Sequence, residues 1–284
     1  MATPAPCAGA VRRLSRADRP ADGETARRWR FLAAAGAASL ASFAAAGVWS
    51  AAMPAMTGVP MPGGWMLSMP WIRLCGESRV AAGAGFLAMW LVMMVAMMLP
   101  SLAPVLWRSR RAAGETSKAR RSMLTLMVAT GYFTVWLAIG AAIFALGTAL
   151  AEAALRNPAI AAAVPLTGAL IVLAGALTQF SAAKARHLTC WRHLPGSGRK
   201  PEGPPLAAFR DGLRIGGHCA GGSAGLTAIL LVCGVMDLAA MTVVAAAITA
   251  ERLAPDGEEV ARATGAGALG VGLVLTVQAV AALA

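Results

Sequence analysis

Five long runs of this chain contain no Asp, Glu, Lys or Arg: Phe31–Met53, Val80–Trp107, Ser122–Ala151, Asn157–Ala183 and Ala263–Ala284. Even the shortest would reach ~33 Å as a helix at 1.5 Å per residue, enough to cross ~30 Å of hydrocarbon. Charged residues make up only 13% of the chain, about half the share of a soluble domain. Transmembrane strands would show alternation over ~10 residues, and these runs show none. The expected fold is therefore all-α, a polytopic transmembrane helix bundle.

A sixth apolar stretch, Gly212–Leu253, is the ambiguous one. As a single straight helix Ile215–Ala250 would be ~54 Å long, too long for one crossing at ordinary tilt. Gly234 and Asp237 offer a place to turn. Broken there, the stretch becomes a tight hairpin of two arms, Ile215–Met236 and Leu238–Ala250. Seven spans are favoured on this reading. Six spans, with the fifth kinked or partly interfacial, is the alternative.

The net charge of +12 does not point to nucleic acid, because the basic residues sit between apolar runs. Residues 108–121 carry six Lys/Arg, and residues 184–214 carry seven. The intervening loops 54–79 and 152–156 carry few. Positive residues favour the cytoplasmic side, so every basic loop falls on one side if the N-terminus is cytoplasmic. Residues 1–30, with seven Arg and scattered Pro and Gly, read as a basic, disordered cytoplasmic tail. Residues 31–284 read as one transmembrane helical domain. The expected location is a bacterial inner membrane, with the lipid bilayer as the main partner.

Five cysteines (7, 75, 190, 219 and 233) make an odd count without a CxxC, so a disulfide framework is not expected. No nucleophile–base arrangement, phosphate loop or dinucleotide fingerprint is present, and no enzyme is expected. Gly216-Gly217 and Gly221-Gly222 lack the strand and spacing of a nucleotide turn.

Several residues suit a soft metal instead. In Met89–Pro104 the methionines recur at helical spacing, with Met93 and Met97 four apart and Met94 and Met98 likewise. Thioethers suit Cu(I), although methionine is also a flexible filler between helices. The loop 53–70 repeats the theme with Met53, Met56, Met61, Met66 and Met69 among Pro and Gly. It reads either as a soft-ligand surface or as an interfacial loop anchored by Trp65 and Trp71.

His187, Cys190 and His193 sit at three-residue spacing, near one face of a helical turn. Such N and S ligands suit Zn, Cu or Ni. The alternative is a juxtamembrane segment resting among Lys184, Arg186 and Arg192 at lipid headgroups. His218-Cys219 opens the apolar hairpin on the same side. Asp237 is the acid deepest within an apolar stretch. It is either an intramembrane functional carboxylate or the cap of the second arm, and the cap is favoured.

Met93–Ser101 (MMVAMMLPS), the Gln179–Lys184 segment, Gly212–Cys219 (GLRIGGHC), Gly234–Met241 (GVMDLAAM) and Glu251-Arg252-Leu253 together resemble a bacterial family. It is the predicted metal-binding integral membrane proteins of unknown function. The resemblance spans roughly residues 80–260. It implies a polytopic inner-membrane protein that handles a soft metal. The family pattern carries Cys-x-Gly-Cys-Cys-Trp after the glycine-rich turn. Here the matching run is Cys219-Ala-Gly221-Gly222-Ser223-Ala224, which keeps the first cysteine alone.

The expected function is binding or handling of a soft transition metal, copper by donor type. His218 and Cys219 are the central candidate ligands, joined by His187, Cys190 and His193. Met93, Met94, Met97 and Met98 would supply thioethers. The alternative is a non-enzymatic membrane scaffold or assembly subunit without bound metal.

Overall fold

The structure is a computed structural model, and it describes residues 22–52, 59–61, 65–67, 78–112, 116–193, 204–234 and 237–281. Eight helices make up nearly all of it: α1 (Asp22–Ala52), α2 (Arg79–Ala112), α3 (Lys118–Arg156), α4 (Pro158–Thr178), α5 (Ala182–His193), α6 (Pro205–Cys233), α7 (Leu238–Leu253) and α8 (Gly257–Ala281). The all-α expectation holds. Between α1 and α2 lies one minimal hairpin, β1 (Val59–Met61) against β2 (Trp65–Leu67), with Met61 opposite Trp65.

Six helices (α1, α2, α3, α4, α6 and α8) are long and apolar enough to cross a membrane. Their outward faces fit that solvent: Leu40, Val48, Leu146 and Val277 are all exposed. The expected break of the sixth apolar stretch is present. Gly234 takes φ 125°, a left-handed conformation that glycine tolerates best. Asp237 then caps α7, its Oδ1 accepting from the backbone N–H groups of Ala239 at 2.8 Å and Ala240 at 3.0 Å. Asp237 is exposed, so of its two readings the cap is the one the structure bears out. The second arm has 16 residues, about 24 Å of helix, and is not among the six helices of spanning length, against the seven spans favoured from the sequence. It lies antiparallel to the second half of α6 and brings Glu251 and Arg252 back to the level of Cys219.

The first helix starts earlier than the apolar run does. It begins at Asp22, inside the segment read as a tail, and residues 1–21 lie outside the described residues. A specific contact holds this start: Glu24 pairs with Arg111 Nε at 2.6 Å. Two turns further in, Phe31 packs on Trp107 with ring centroids 5.6 Å apart. These contacts put the start of α1 beside the end of α2.

The core is built around α2. Trp90, Met93, Met94, Met97, Met98 and Leu102 are all fully buried. Trp90 Nε1 donates to Trp136 O at 2.8 Å, which ties α2 to α3. Helices α3 and α6 meet backbone to backbone. A Cβ on Gly131 would collide with Phe209 O, and one on Gly212 would collide with Val128 O. Absence of side chains on both helices is what lets the backbones touch. That register runs α3 and α6 parallel, with both starts at one end of the bundle. The basic stretches around Arg110, Arg120 and Arg210 thus share one end of the bundle, while Arg79 and Glu152 pair at the other, 3.5 Å apart.

In the methionine-rich loop, Met61 is buried against Ala151, Ala154 and Ala161. Trp65 Nε1 donates to Ala161 O at 2.9 Å. These contacts pin the hairpin onto the α3–α4 turn. Met53, Met56 and Met69 lie outside the described residues.

Candidate metal centre

Cys219 is fully buried in the middle of α6. Its Sγ lies 3.9 Å from Met98 Sδ on α2 and 2.8 Å from the Tyr132 hydroxyl on α3. Two sulfurs that each bind one metal at ~2.3 Å stand about 3.8 Å apart at a tetrahedral angle. The Cys219–Met98 pair already has that spacing, and thiolate with thioether is a donor set matched to a soft cation. Pro100 lies just past Met98. A proline inside a helix removes an N–H donor. Ser101 Oγ turns back to donate to Met98 O at 3.1 Å, which fixes the backbone that carries the thioether.

A second element enters this pair from α7. The Arg252 guanidinium is buried and reaches both sulfurs. Its Nη2 lies 3.1 Å from Cys219 Sγ and donates to Cys219 O at 3.2 Å. Its Nη1 donates to Ser101 Oγ at 2.9 Å and lies 3.9 Å from Met98 Sδ. The Trp191 ring of α5 covers the guanidinium carbon at 4.3 Å, a cation–π contact.

Next to it is a buried ion pair. Lys184 Nζ lies 2.6 Å from Glu251 Oε2 and donates to Gly222 O at 2.6 Å. Burial pushes the Lys184 ammonium below its ordinary pKa, and the Glu251 carboxylate offsets part of that. Glu251 Oε1 and both polar atoms of the Gln179 side chain are buried without a well-formed hydrogen bond to any described residue, although the two side chains lie near one another. A cleft of about 210 Å³ lined by Gln179, Lys184, Glu258 and Arg262 adjoins them. It has room for several waters at ~30 Å³ each, which would satisfy such groups.

Lys184, His187 and Trp191 fall at i, i+3 and i+7 on α5, one face of a helix. All three touch α6 or α7. His187 meets His218 with ring centroids 5.9 Å apart and planes inclined at 62°. Gly221 makes room for it: a Cβ there would lie 2.8 Å from Nε2 and Cε1 of the His187 ring. Burial first, then the neighbouring His218, Arg186 and Lys184, hold His187 below the ordinary histidine pKa. That direction favours the neutral imidazole, the form that binds metals.

The sequence candidates thus separate into two groups. His187 and His218 face each other on α5 and α6. Cys219 and Met98 face each other on α6 and α2. Adjacent residues of a helix point about 100° apart, which is why His218 and Cys219 part company. Met93, Met94 and Met97 are buried in the core with Trp90, Trp136 and Ile215. Cys190 is disulfide-bonded and offers a thiolate only once reduced. His193 ends α5, and its side chain lies outside the described residues. No group of three or more His, Cys, Asp or Glu suited to a metal occurs among the described residues.

Sequence reasoning assigned Ser101 only a hydroxyl in place of the donor lost at Pro100, and no site role to Tyr132, Trp191, Lys184, Glu251 or Arg252. The signal available was the Glu251-Arg252 pair closing an apolar stretch. Charges in that position are expensive unless paired, and a partner was to be sought on another helix.

The profile of a family described as PpoB2, copper chaperone, matches residues 87–275, about two thirds of the chain. The match runs from α2 into α8 and includes every residue of both donor pairs. No curated protein and no solved structure matches the chain.

Proposed function

Because the chain belongs to the PpoB2 copper chaperone family, we propose that it is a membrane-embedded carrier of Cu(I), which it holds for delivery to a client protein. The observation that carries this reading is the 3.9 Å approach of Cys219 Sγ to Met98 Sδ. A thiolate and a thioether at that spacing, shielded from water, favour Cu(I) over harder ions. His187 and His218 form a second donor pair nearer the basic end of the bundle, suited to receiving the ion before it moves inward. Met93, Met94 and Met97 continue the line of thioethers along α2.

The bilayer is the intended solvent for the six long apolar helices. Positive-inside counting supports a cytoplasmic basic end in a bacterial inner membrane, with the N-terminus on the same side. The role is non-catalytic: the chain binds and releases an ion.

The test is elemental analysis of the detergent-purified full chain, followed by Cu(I) competition against a chromophoric chelator. Copper bound at near one equivalent, and lost when Cys219→Ser and Met98→Leu are combined, supports the reading. Unchanged copper content in that double variant refutes the site. A protein that never binds copper yet carries a stoichiometric partner is a scaffold instead.

A further inference from the structure

We propose that Arg252 is an internal cation that occupies the Cys219–Met98 donor pair, and that copper loads only as the guanidinium withdraws. The inference rests on the copper reading above and adds its control. Arg252 does not merely lie nearby. One amino nitrogen is 3.1 Å from the Cys219 sulfur, and the other is 3.9 Å from the Met98 sulfur. A guanidinium does not deprotonate in proteins. A Cu(I) bridging the same sulfurs would stand against a fixed positive charge within a few ångströms in a poorly screened interior. The single thiolate charge of Cys219 can balance one of the two cations but not both in a poorly screened interior, so arginine and copper compete for the same place.

The closed arrangement is complete in itself. Ser101 Oγ and Cys219 O accept the guanidinium protons, and Trp191 closes over the remaining face. A buried arginine needs such partners. Its position also allows movement. Arg252 is in the last turn of α7, two residues before the bend at Ala254–Asp256. The side chain can swing toward the basic end without unwinding a helix. Its cover, α5, is a short helix that also carries His187. An ion captured by His187 and His218 therefore acts on the same helix that holds Arg252 down through Trp191.

The experiment measures Cu(I) binding to the detergent-solubilised full chain against bicinchoninate. Arg252→Gln is expected to bind Cu(I) at least about tenfold tighter than the unmodified chain. Adding Cys219→Ser is expected to abolish that gain, and Arg252→Lys, which keeps the charge, to leave affinity near its starting value. An Arg252→Gln chain that folds normally by size exclusion and near-ultraviolet circular dichroism, yet binds no tighter, overturns the proposal while leaving copper binding itself intact. If Arg252→Gln does not fold, Trp191→Ala decides, because it removes the cover and keeps the charge. Faster Cu(I) loading of Trp191→Ala in stopped flow sustains the proposal, and an unchanged rate overturns it. Absence of Cu(I) binding in every form, the unmodified chain included, overturns this proposal together with the copper reading.

Discussion

Lys184 of α5 and Glu251 of α7 meet at 2.6 Å with both side chains almost wholly buried. The pair ties a short helix at the basic end of the bundle to the last turn of the α6–α7 hairpin. It also anchors the residue next to Arg252. Lys184→Met should leave a buried, unpaired carboxylate and cost about 3–5 kcal/mol. The double change Lys184→Met with Glu251→Leu should recover most of that loss. Reversible denaturation in mixed micelles measures both. Equal stability of the single variant and the unmodified chain would show the pair to be dispensable.

His218 and Cys219 are neighbours in sequence but serve different donor pairs. If the two pairs act as separate sites, the effects of His218→Ala and Cys219→Ser on copper affinity should add in free energy to within about 0.5 kcal/mol. Competition titrations of both single variants and the double variant provide the cycle. A coupling well above that figure would mean a single shared site.

Gly221 is where α6 admits the His187 ring. Gly221→Ala places a methyl group 2.8 Å from the present position of Nε2, so the imidazole must move away from His218. The expected cost in stability is about 1–3 kcal/mol, with copper affinity reduced to the level of His187→Ala. Measuring both variants side by side tests the assignment, since a Gly221→Ala protein with unaltered copper affinity would remove His187 from the pathway.

At Gly212 there is no flexible neighbour to yield. A Cβ there meets Val128 O and the backbone of Gly131 and Tyr132. Gly212→Leu should force α3 and α6 apart, destabilise the chain by about 3 kcal/mol or more and open the Tyr132–Cys219 contact. Thiol labelling of Cys219 in the folded protein reads out the opening. Labelling as slow as in the unmodified chain would contradict it.

The short α7 sets the topology. If it crosses the bilayer, a reporter fused at Asp256 reads cytoplasmic and one at the C-terminus reads external. Both reporters are expected to behave so, because Glu251 near the end of α7 meets Lys184 of α5, the short helix at the basic end of the bundle. The same side for both fusions would exclude α8 as a span.

Much of the architecture was legible in the residues themselves. Charge-free runs of 22 residues or more admit little besides helices when the solvent is lipid, because every backbone N–H and C=O must find its partner within the segment. Gly234 and Asp237 likewise announced a turn and a cap, since φ above zero and an orphaned helix N-terminus each select few residue types. The start of α1 was not legible. Residues 22–30 look like a polar tail, and the pairing of Glu24 with Arg111 and the tilted contact of Phe31 with Trp107 hold this start against α2.

The candidate site divides in the same way. Sequence alone determined which donor atoms the chain owns: a cysteine beside a histidine, methionines at helical spacing and two further histidines on one side. It also placed Glu251 and Arg252 at the end of an apolar stretch, where a charge needs company. Only the tertiary structure decided that Cys219 faces Met98 while His218 faces His187, and that a guanidinium from the far end of the hairpin sits against both sulfurs. Periodicity tells which residues share a face of one helix. Which helix that face meets depends on packing across distances of 121 to 154 residues in the chain, and here glycine contacts such as Gly131 against Gly212 set that packing.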